Sequence, residues 1–84
     1  MGSVEKVLEQ VLRGTSDANI AFGDLCRLLR RLGFAERTRG SHHCFCRTGV
    51  PELINLQKEG GKAKPYQVRQ VRKIIVKHEL ADGI

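Results

Sequence analysis

Three short segments with strand character follow one another in the middle of this chain with very little sequence between them. They are residues 35–39, 43–48 and 52–57, and they are joined by Gly40-Ser41 and by Gly49-Val50-Pro51. Such segments, bounded by turn residues, predict β-strands. Parallel strands need a crossover of about a dozen residues or more, so connections this short permit only antiparallel pairing. The sequence therefore predicts a three-stranded antiparallel meander.

Helical periodicity flanks this meander on both sides. An N-terminal helix is expected over residues 3–13, with Ser3 as its N-cap and Gly14 ending it. A second helix is predicted in AFGDLCRLLRRLGF and ends at Gly33, and a third begins at Pro65. Polar residues 15–19 and the stretch KEGGKAK are expected to be loops. The apolar stripes contain Val4, Val7, Leu8, Val11 and Leu12, then Leu25, Leu28, Leu29 and Leu32, and finally Val68, Val71, Ile74 and Ile75.

The predicted order is α-α-β-β-β-α, an α+β fold in which the helices pack on one face of a small three-stranded antiparallel sheet. A chain of 84 residues is read as a single domain, near the lower size limit for folding without disulfides or metal. So small a core leaves no room for a deep cofactor cavity. We therefore expect no cofactor, and we expect any chemistry to lie on an open surface.

The basic residues are concentrated after the first helix. Residues 1–20 carry a net charge of −1, residues 21–50 carry +4 and residues 51–84 carry +3, which sum to the formal +6 of the chain. This distribution favours a polyanionic partner, with nucleic acid ahead of a membrane, although a basic surface without a specific partner is the alternative. An apolar run of about 20 residues, as a bilayer span requires, is not found. Three cysteines without a secretory segment indicate reduced thiols and a cytoplasmic location.

The stretch RGSHHCFC raises two chemical readings that involve its cysteines. A zinc site usually has paired cysteines two to four residues apart in addition to a second ligand pair. Here a single residue separates Cys44 from Cys46, and the other donors would have to come from His42, Cys26 and His78. A cysteine nucleophile would need His43 beside Cys44, but neighbours on a strand face opposite sides. Buried or inert thiols are favoured over both readings.

A histidine that transfers protons is the third reading of this stretch. Imidazole titrates near pH ~6.5, and RNA carries its own nucleophile in the 2′-hydroxyl. One histidine with cations nearby can therefore support RNA cleavage without a metal. A histidine at a strand end, hydrogen-bonded to a backbone carbonyl, explains the same residue equally well.

The segment before the third helix has the composition of a phosphate-binding site. Gly60-Gly61-Lys62-Ala63-Lys64-Pro65 combines glycines and two lysines with a predicted helix N-terminus. Gln67 and Arg69 lie in the first turn of that helix, and Tyr66 could stack on a base. A solvated turn that happens to contain lysines is the alternative.

Several of these motifs, in this order, resemble the HicA family of toxins from type II toxin–antitoxin systems. They are LLRRLGF, RGSHHCF, INLQ and KPYQVRQVRKII, and the resemblance runs from about residue 24 to residue 75. It implies a fold similar to the double-stranded-RNA-binding domain over residues 21–80, with residues 1–14 as an N-terminal helical extension. It also implies an mRNA interferase, an endoribonuclease that needs no metal and is inhibited by a HicB antitoxin.

The resemblance places the functional histidine at His42, directly after Gly-Ser, and assigns no role to His43. We therefore expect His42 to be a general acid or base for cleavage of mRNA. Further RNA contacts are expected from Arg39, Ser41, Lys62, Lys64, Arg69 and Lys73. The expected protein is a toxin that is monomeric when free of its HicB-type antitoxin and does not bind a membrane. The alternative is a non-catalytic RNA-binding module of the same fold.

Overall fold

The computed structural model describes residues 3–83 and contains three α-helices and one four-stranded antiparallel sheet. The helices are α1 (Val4–Arg13), α2 (Phe22–Arg31) and α3 (Pro65–Lys77), and the strands are β1 (Ala35–Arg39), β2 (His42–Arg47), β3 (Val50–Glu59) and β4 (Lys62–Ala63). Short 3₁₀ turns lie at Asp17–Asn19 and Leu80–Gly83. The α+β class and the antiparallel meander are confirmed.

The fourth strand corrects the predicted three-stranded sheet and the predicted order. β3 continues to Glu59, and Gly60-Gly61 turn the chain into β4, so most of KEGGKAK is a hairpin and not a loop. The backbone N–H of Ala63 donates to the carbonyl of Ile20, and that of Phe22 donates to the carbonyl of Gly61. A two-residue strand carries no periodic signal, and its partners before α2 are distant in sequence. Similarly, the loop predicted over residues 15–19 contains a 3₁₀ turn.

The predicted helix ends are confirmed by their capping contacts. Ser3 Oγ accepts a hydrogen bond of 3.2 Å from the backbone N–H of Lys6, and Gly14 ends α1 in the left-handed conformation. After α2, Gly33 has a φ of 92°, and the N–H of Phe34 returns to the carbonyl of Leu29. These contacts pair backbone groups that would otherwise lack partners at helix ends.

The core lies between the helices and one face of the sheet. On the sheet side it contains Phe45, Ile54 and Leu56, each 0% exposed. The predicted stripes of α2 and α3 are buried as expected, and α1 adds Val7, Leu8 and Val11. Leu12, which the periodicity placed in the stripe of α1, is instead exposed. Because the helices cover only one face, the opposite face of the sheet is left open.

The turn between β1 and β2 depends on Gly40, whose φ is +60°. We expect Gly40→Ala to lower the free energy of unfolding by about 1–2 kcal/mol, since L side chains adopt this conformation at a cost. A Cβ at Gly40 would meet no atom within 4 Å, so the cost is conformational and not steric. Urea denaturation measures the change.

Gly23, inside α2, is a matched control for Gly40. A Cβ there also meets nothing within 4 Å, and its φ is not positive. Gly23→Ala is therefore expected to raise the free energy of unfolding by about 0.5–1 kcal/mol, through helix propensity alone. Equal stability of Gly40→Ala and the parent chain would contradict the description of this turn.

Candidate active site

The candidate site is the open face of the sheet, which the helices do not cover. Successive residues of a strand alternate between faces, and Phe45, Ile54 and Leu56 define the covered one. The register pairs Arg37 with Cys44 and Cys44 with Asn55. The same register pairs Arg39 with His42 and His42 with Gln57. The open face therefore carries Arg37, Arg39, His42, Cys44, Asn55 and Gln57.

His42 is the first residue of β2 and is exposed to solvent. The two-residue turn Gly40-Ser41 brings it opposite the last residue of β1. Its Nδ1 lies 3.3 Å from Oδ1 of Asn55 on β3. Since an amide oxygen can only accept a hydrogen bond, Nδ1 donates. Asn55 is the only residue of the described chain that hydrogen-bonds to this ring, so Nε2 is left for other partners.

His42 belongs to a row of side chains that crosses the sheet, which we call the His42 row: Arg39, His42, Gln57 and Lys64. Arg39 and Gln57 are its register partners on either side. Lys64 enters from the residue before α3, and its Nζ donates to Oε1 of Gln57 over 3.3 Å. Side chains directly opposite one another on neighbouring strands have Cβ atoms about 4.5–5.5 Å apart. The row thus holds one imidazole between two cations.

The cations of the open face are available to an anionic ligand. Within residues 3–83, Arg37, Arg39 and Lys64 form no ion pair with a carboxylate. A groove at the β1 edge of the sheet is lined by Arg37, Thr38, Arg39 and Cys44. A groove with uncompensated positive charge suits a phosphate backbone better than it suits a small apolar ligand.

The other predicted contact residues do not all join this row. Ser41 is exposed in the turn before His42, and the ammonium of Lys62 donates to Oδ1 of Asn19 at 3.2 Å. Arg69 and Lys73 line a separate groove on the outer surface of α3, together with Tyr66 and Val76. The predicted residues therefore divide between the sheet and the last helix.

The predicted phosphate cradle before α3 has a different form in the structure. The glycines belong to the β3–β4 turn, where the Gly61 carbonyl is already bonded to the N–H of Phe22. At the helix start, Pro65 has no N–H and the N–H of Gln67 donates to the Lys64 carbonyl. Few amides remain for an anion, so the lysine side chains are the main contribution of this segment.

Gln67 was expected near a phosphate, but its side chain is only 3% exposed and its role is structural. Its Oε1 accepts from the backbone N–H of Gln57 at 3.0 Å, and its Nε2 donates to the hydroxyl of Tyr66 at 3.4 Å. These bonds join the end of β3 to the start of α3. Gln67 thereby fixes the distance between the strand that carries Gln57 and the residue Lys64.

Asn55 and Gln57 are the site residues that sequence reasoning missed. Both stand in INLQ, where they alternate with the buried Ile54 and Leu56. The alternation alone puts both side chains on the open face. Their contacts with His42 and Lys64 depend on the strand register, which the sequence did not reveal.

His43 faces the opposite side of the sheet from His42. Its Nδ1 lies 2.9 Å from Oε2 of Glu36, and its ring meets the ring of Phe22 edge to face at 4.9 Å. The other carboxylate oxygen of Glu36 is 2.7 Å from Arg30 Nη2. The pKa of Glu36 is lowered, chiefly by the hydrogen bond from His43. These contacts make His43 part of the helix–sheet packing.

The sequence-based metal ligands do not come together. Cys44 and His42 lie on the open face, whereas Cys26 is buried in α2 and His78 pairs with Glu52. In the part of the chain that the structure describes, one group has ligand atoms close together, within 4.8 Å: Cys26, Glu36 and His43. Arg30 and His43 already engage both oxygens of Glu36, and burial raises the pKa of the Cys26 thiol to about 11. This cluster is better explained as packing than as a metal centre.

Comparison with models of protein families, with curated proteins and with solved structures finds no match to this chain. The similarity to HicA toxins therefore rests on the quoted motifs and stays a prediction. Among residues 3–83, no helix combines the length and the apolar composition needed to cross a membrane.

The Glu36 contacts make a prediction for stability at acid pH. A carboxyl group with a pKa below its unfolded value of about 4.3 stabilises the fold above that pH. That contribution is lost as the pH falls through the lower, folded-state pKa. Glu36→Gln should therefore lower the free energy of unfolding by about 1–2 kcal/mol at pH 7 and by less at pH 3. Urea denaturation at both pH values tests this, and an equal loss at both would contradict the assignment.

Proposed function

We propose that this protein is a metal-independent endoribonuclease of the HicA type, the toxin of a type II toxin–antitoxin pair, which cleaves mRNA with His42 as its acid–base group. The observation that carries the proposal is the His42 row. It combines a solvent-exposed imidazole with the cations of Arg39 and Lys64, neither of which is compensated by a carboxylate in the described chain.

The chemistry that this row suits is attack of a ribose 2′-hydroxyl on the adjacent phosphorus. The 2′-hydroxyl loses a proton, a bond forms between O2′ and phosphorus, and the bond from phosphorus to O5′ breaks. An imidazole supplies or removes a proton near neutral pH. Arginine and lysine stabilise the negative charge that develops on the phosphoryl oxygens. No step of this reaction requires a metal ion.

The open position of the row fits a polymeric substrate. Chemistry at a phosphodiester within a chain needs access along a surface, and the groove beside Arg37 and Arg39 provides it. A single strand lying there could place its phosphate between the two cations of the row. Arg39 and Lys64 are therefore the residues that we expect to act on the scissile phosphate.

A second candidate function is RNA binding without cleavage. The observation that favours it is the outer groove of α3, where Arg69 and Lys73 accompany the exposed ring of Tyr66. Aromatic stacking and cations are enough to hold single-stranded RNA. This groove contains no histidine, so it would contribute affinity and not chemistry. Lys62, which is hydrogen-bonded to Asn19, would likewise contribute affinity for RNA and not chemistry.

The proposed partners are mRNA and a HicB-type antitoxin, in a cytoplasmic protein that is monomeric when free. The proposal of an antitoxin partner is based on the resemblance of the motifs to HicA toxins. The uncompensated cations of the open face give it a physical basis, because an acidic partner surface would compete there with RNA.

Replacing His42 tests the catalytic assignment. We expect His42→Ala to lower the rate of RNA cleavage by about 10²–10⁴-fold, since it removes the proton-transfer group. The free energy of unfolding should change by less than about 0.5 kcal/mol, because the side chain is exposed. Cleavage is followed on labelled RNA in the presence of EDTA, with the unfolding curve measured on the same preparation.

The neighbouring histidine provides the matched control. His43→Gln can keep a hydrogen bond to Glu36, and we expect cleavage within about twofold of the parent chain, since effects below this are small in free energy. His43→Gln should instead lower the free energy of unfolding, because it alters the contact with Glu36. If His43→Gln abolished cleavage while His42→Ala cleaved normally, the assignment of the site would be wrong.

Charge neutralisation separates the enzyme from the binding module. Binding is measured on RNA with 2′-deoxy substitutions, which lacks the attacking 2′-hydroxyl. For each phosphate contact that is lost, the slope of log K against log salt concentration should become shallower by about 0.7. We expect this for Lys64→Gln and for Lys73→Gln. Only Lys64→Gln should also slow the cleavage of saturating, unmodified RNA. If both variants cleaved saturating RNA at equal rates, Lys64 and the His42 row would contribute to RNA binding and not to cleavage.

A further inference from the structure

Each histidine of this chain has a hydrogen-bond partner, and the partner of His42 differs in charge from the other two. His43 pairs with Glu36 at 2.9 Å and His78 pairs with Glu52 at 2.8 Å. His42 instead contacts the neutral amide of Asn55, at 3.3 Å. A carboxylate partner favours the charged imidazolium, whereas an amide orients the ring without adding charge. The histidine on the open face is thus the one that forms no ion pair with a carboxylate among the described residues.

The identity of the accepting atom fixes which ring nitrogen is protonated. Oδ1 of Asn55 only accepts, so Nδ1 of His42 carries a hydrogen in the neutral ring as well as in the charged ring. The nitrogen that gains and loses a proton is then Nε2. Asn55 itself lies on an exposed part of β3, where water could satisfy its amide, so packing does not require this contact.

We infer that Asn55 is a positioning residue that selects the Nδ1–H tautomer of His42 and so makes Nε2 the general base toward the RNA 2′-hydroxyl. This inference rests on the proposed function and specifies it further. Nε2 takes the proton of the 2′-hydroxyl as O2′ bonds to phosphorus. The bond from phosphorus to O5′ breaks with its electron pair on O5′, which takes a proton from water. A 2′,3′-cyclic phosphate and a 5′-hydroxyl result, and His42 returns its proton to solvent.

Several charged and titratable side chains surround His42 on the open face. Arg39 faces it from β1, and Arg37 lies one step further along the same strand face. Cys44 and Cys46 follow His42 on the same face of β2. Glu59 lies on β3, diagonal to His42. Lys64 approaches from the other side through Gln57, the register partner of His42. The orientation supplied by Asn55 therefore acts in a site whose cations can hold the substrate phosphate.

The experiment records ring ¹⁵N spectra of the full chain and cleavage rates for the same samples. The parent chain should show His42 as the Nδ1–H tautomer. Asn55→Ala should lose this preference and cleave about 10-fold to 100-fold more slowly, as expected for a misplaced catalytic group. Asn55→Asp should keep the Nδ1–H tautomer and raise the titration midpoint of His42 by about one pH unit, since a carboxylate replaces the amide. The lower limb of its pH–rate profile should move by the same amount.

Matched controls come from the same strand face and from the other histidines. Leu53 is 58% exposed on β3, and Leu53→Ala should leave both the His42 tautomer and cleavage unchanged. The resonances of His43 and His78 should not respond to changes at Asn55. Urea denaturation confirms that each variant is folded.

Three results would overturn the inference. An Nε2–H tautomer in the parent chain would exclude the hydrogen bond, and full cleavage by Asn55→Ala would exclude its catalytic effect. After either of these two results, the proposed function would still stand if His42→Ala is inactive, because His42 would remain the acid–base group. Absence of cleavage by the parent chain would overturn the inference together with the proposed function, whichever tautomer is observed.

Discussion

The one-sided burial of the β2–β3 hairpin is the constraint on which the rest of this structure depends. Phe45, Ile54 and Leu56 are fully buried under the helices, and side chains alternate with a period of two. A shift of one residue in register would expose these three and bury the open face, so the hydrophobic effect fixes the register. The same alternation puts His42 in solvent and His43 against α2. The core thus determines which of two adjacent histidines can meet a substrate.

The second constraint is the junction between β3 and α3, because it brings a cation from outside the meander into the His42 row. Gln67 is buried, its amide oxygen accepts the N–H of Gln57 and its amide nitrogen donates to the Tyr66 hydroxyl. Without that partner, a backbone N–H near the core would lose a hydrogen bond at a cost of about 1–3 kcal/mol. The strand β4 ties the same region to the start of α2. These contacts hold Lys64 within reach of Gln57, whereas Arg69 and Lys73 remain on the outer surface of α3.

Local patterns predicted most of the fold and only part of the candidate site. The stripe of α2, its end at Gly33 and the alternation of Ile54 with Asn55 are signals within a few residues, and the structure agrees with them. β4 was missed because a strand of two residues has no periodicity, and because the bond from Ala63 to Ile20 joins residues far apart in sequence. Positive charges before and within α3 looked equivalent in sequence. Their separation into Lys64 on the sheet and Arg69 on the helix depends on tertiary packing, which composition does not encode.

The two neighbouring histidines illustrate how partner charge separates structure from chemistry. His43 is held by the carboxylate of Glu36, whose pKa is lowered chiefly by this hydrogen bond. With its ring also against Phe22, this histidine contributes to the helix–sheet packing and does not face the open side of the sheet. His42 has an amide partner, solvent access and flanking cations. A substrate can reach such a ring without disturbing the core, since the side chain is exposed. The proton-transfer chemistry proposed for this chain therefore belongs to the histidine that the core does not use.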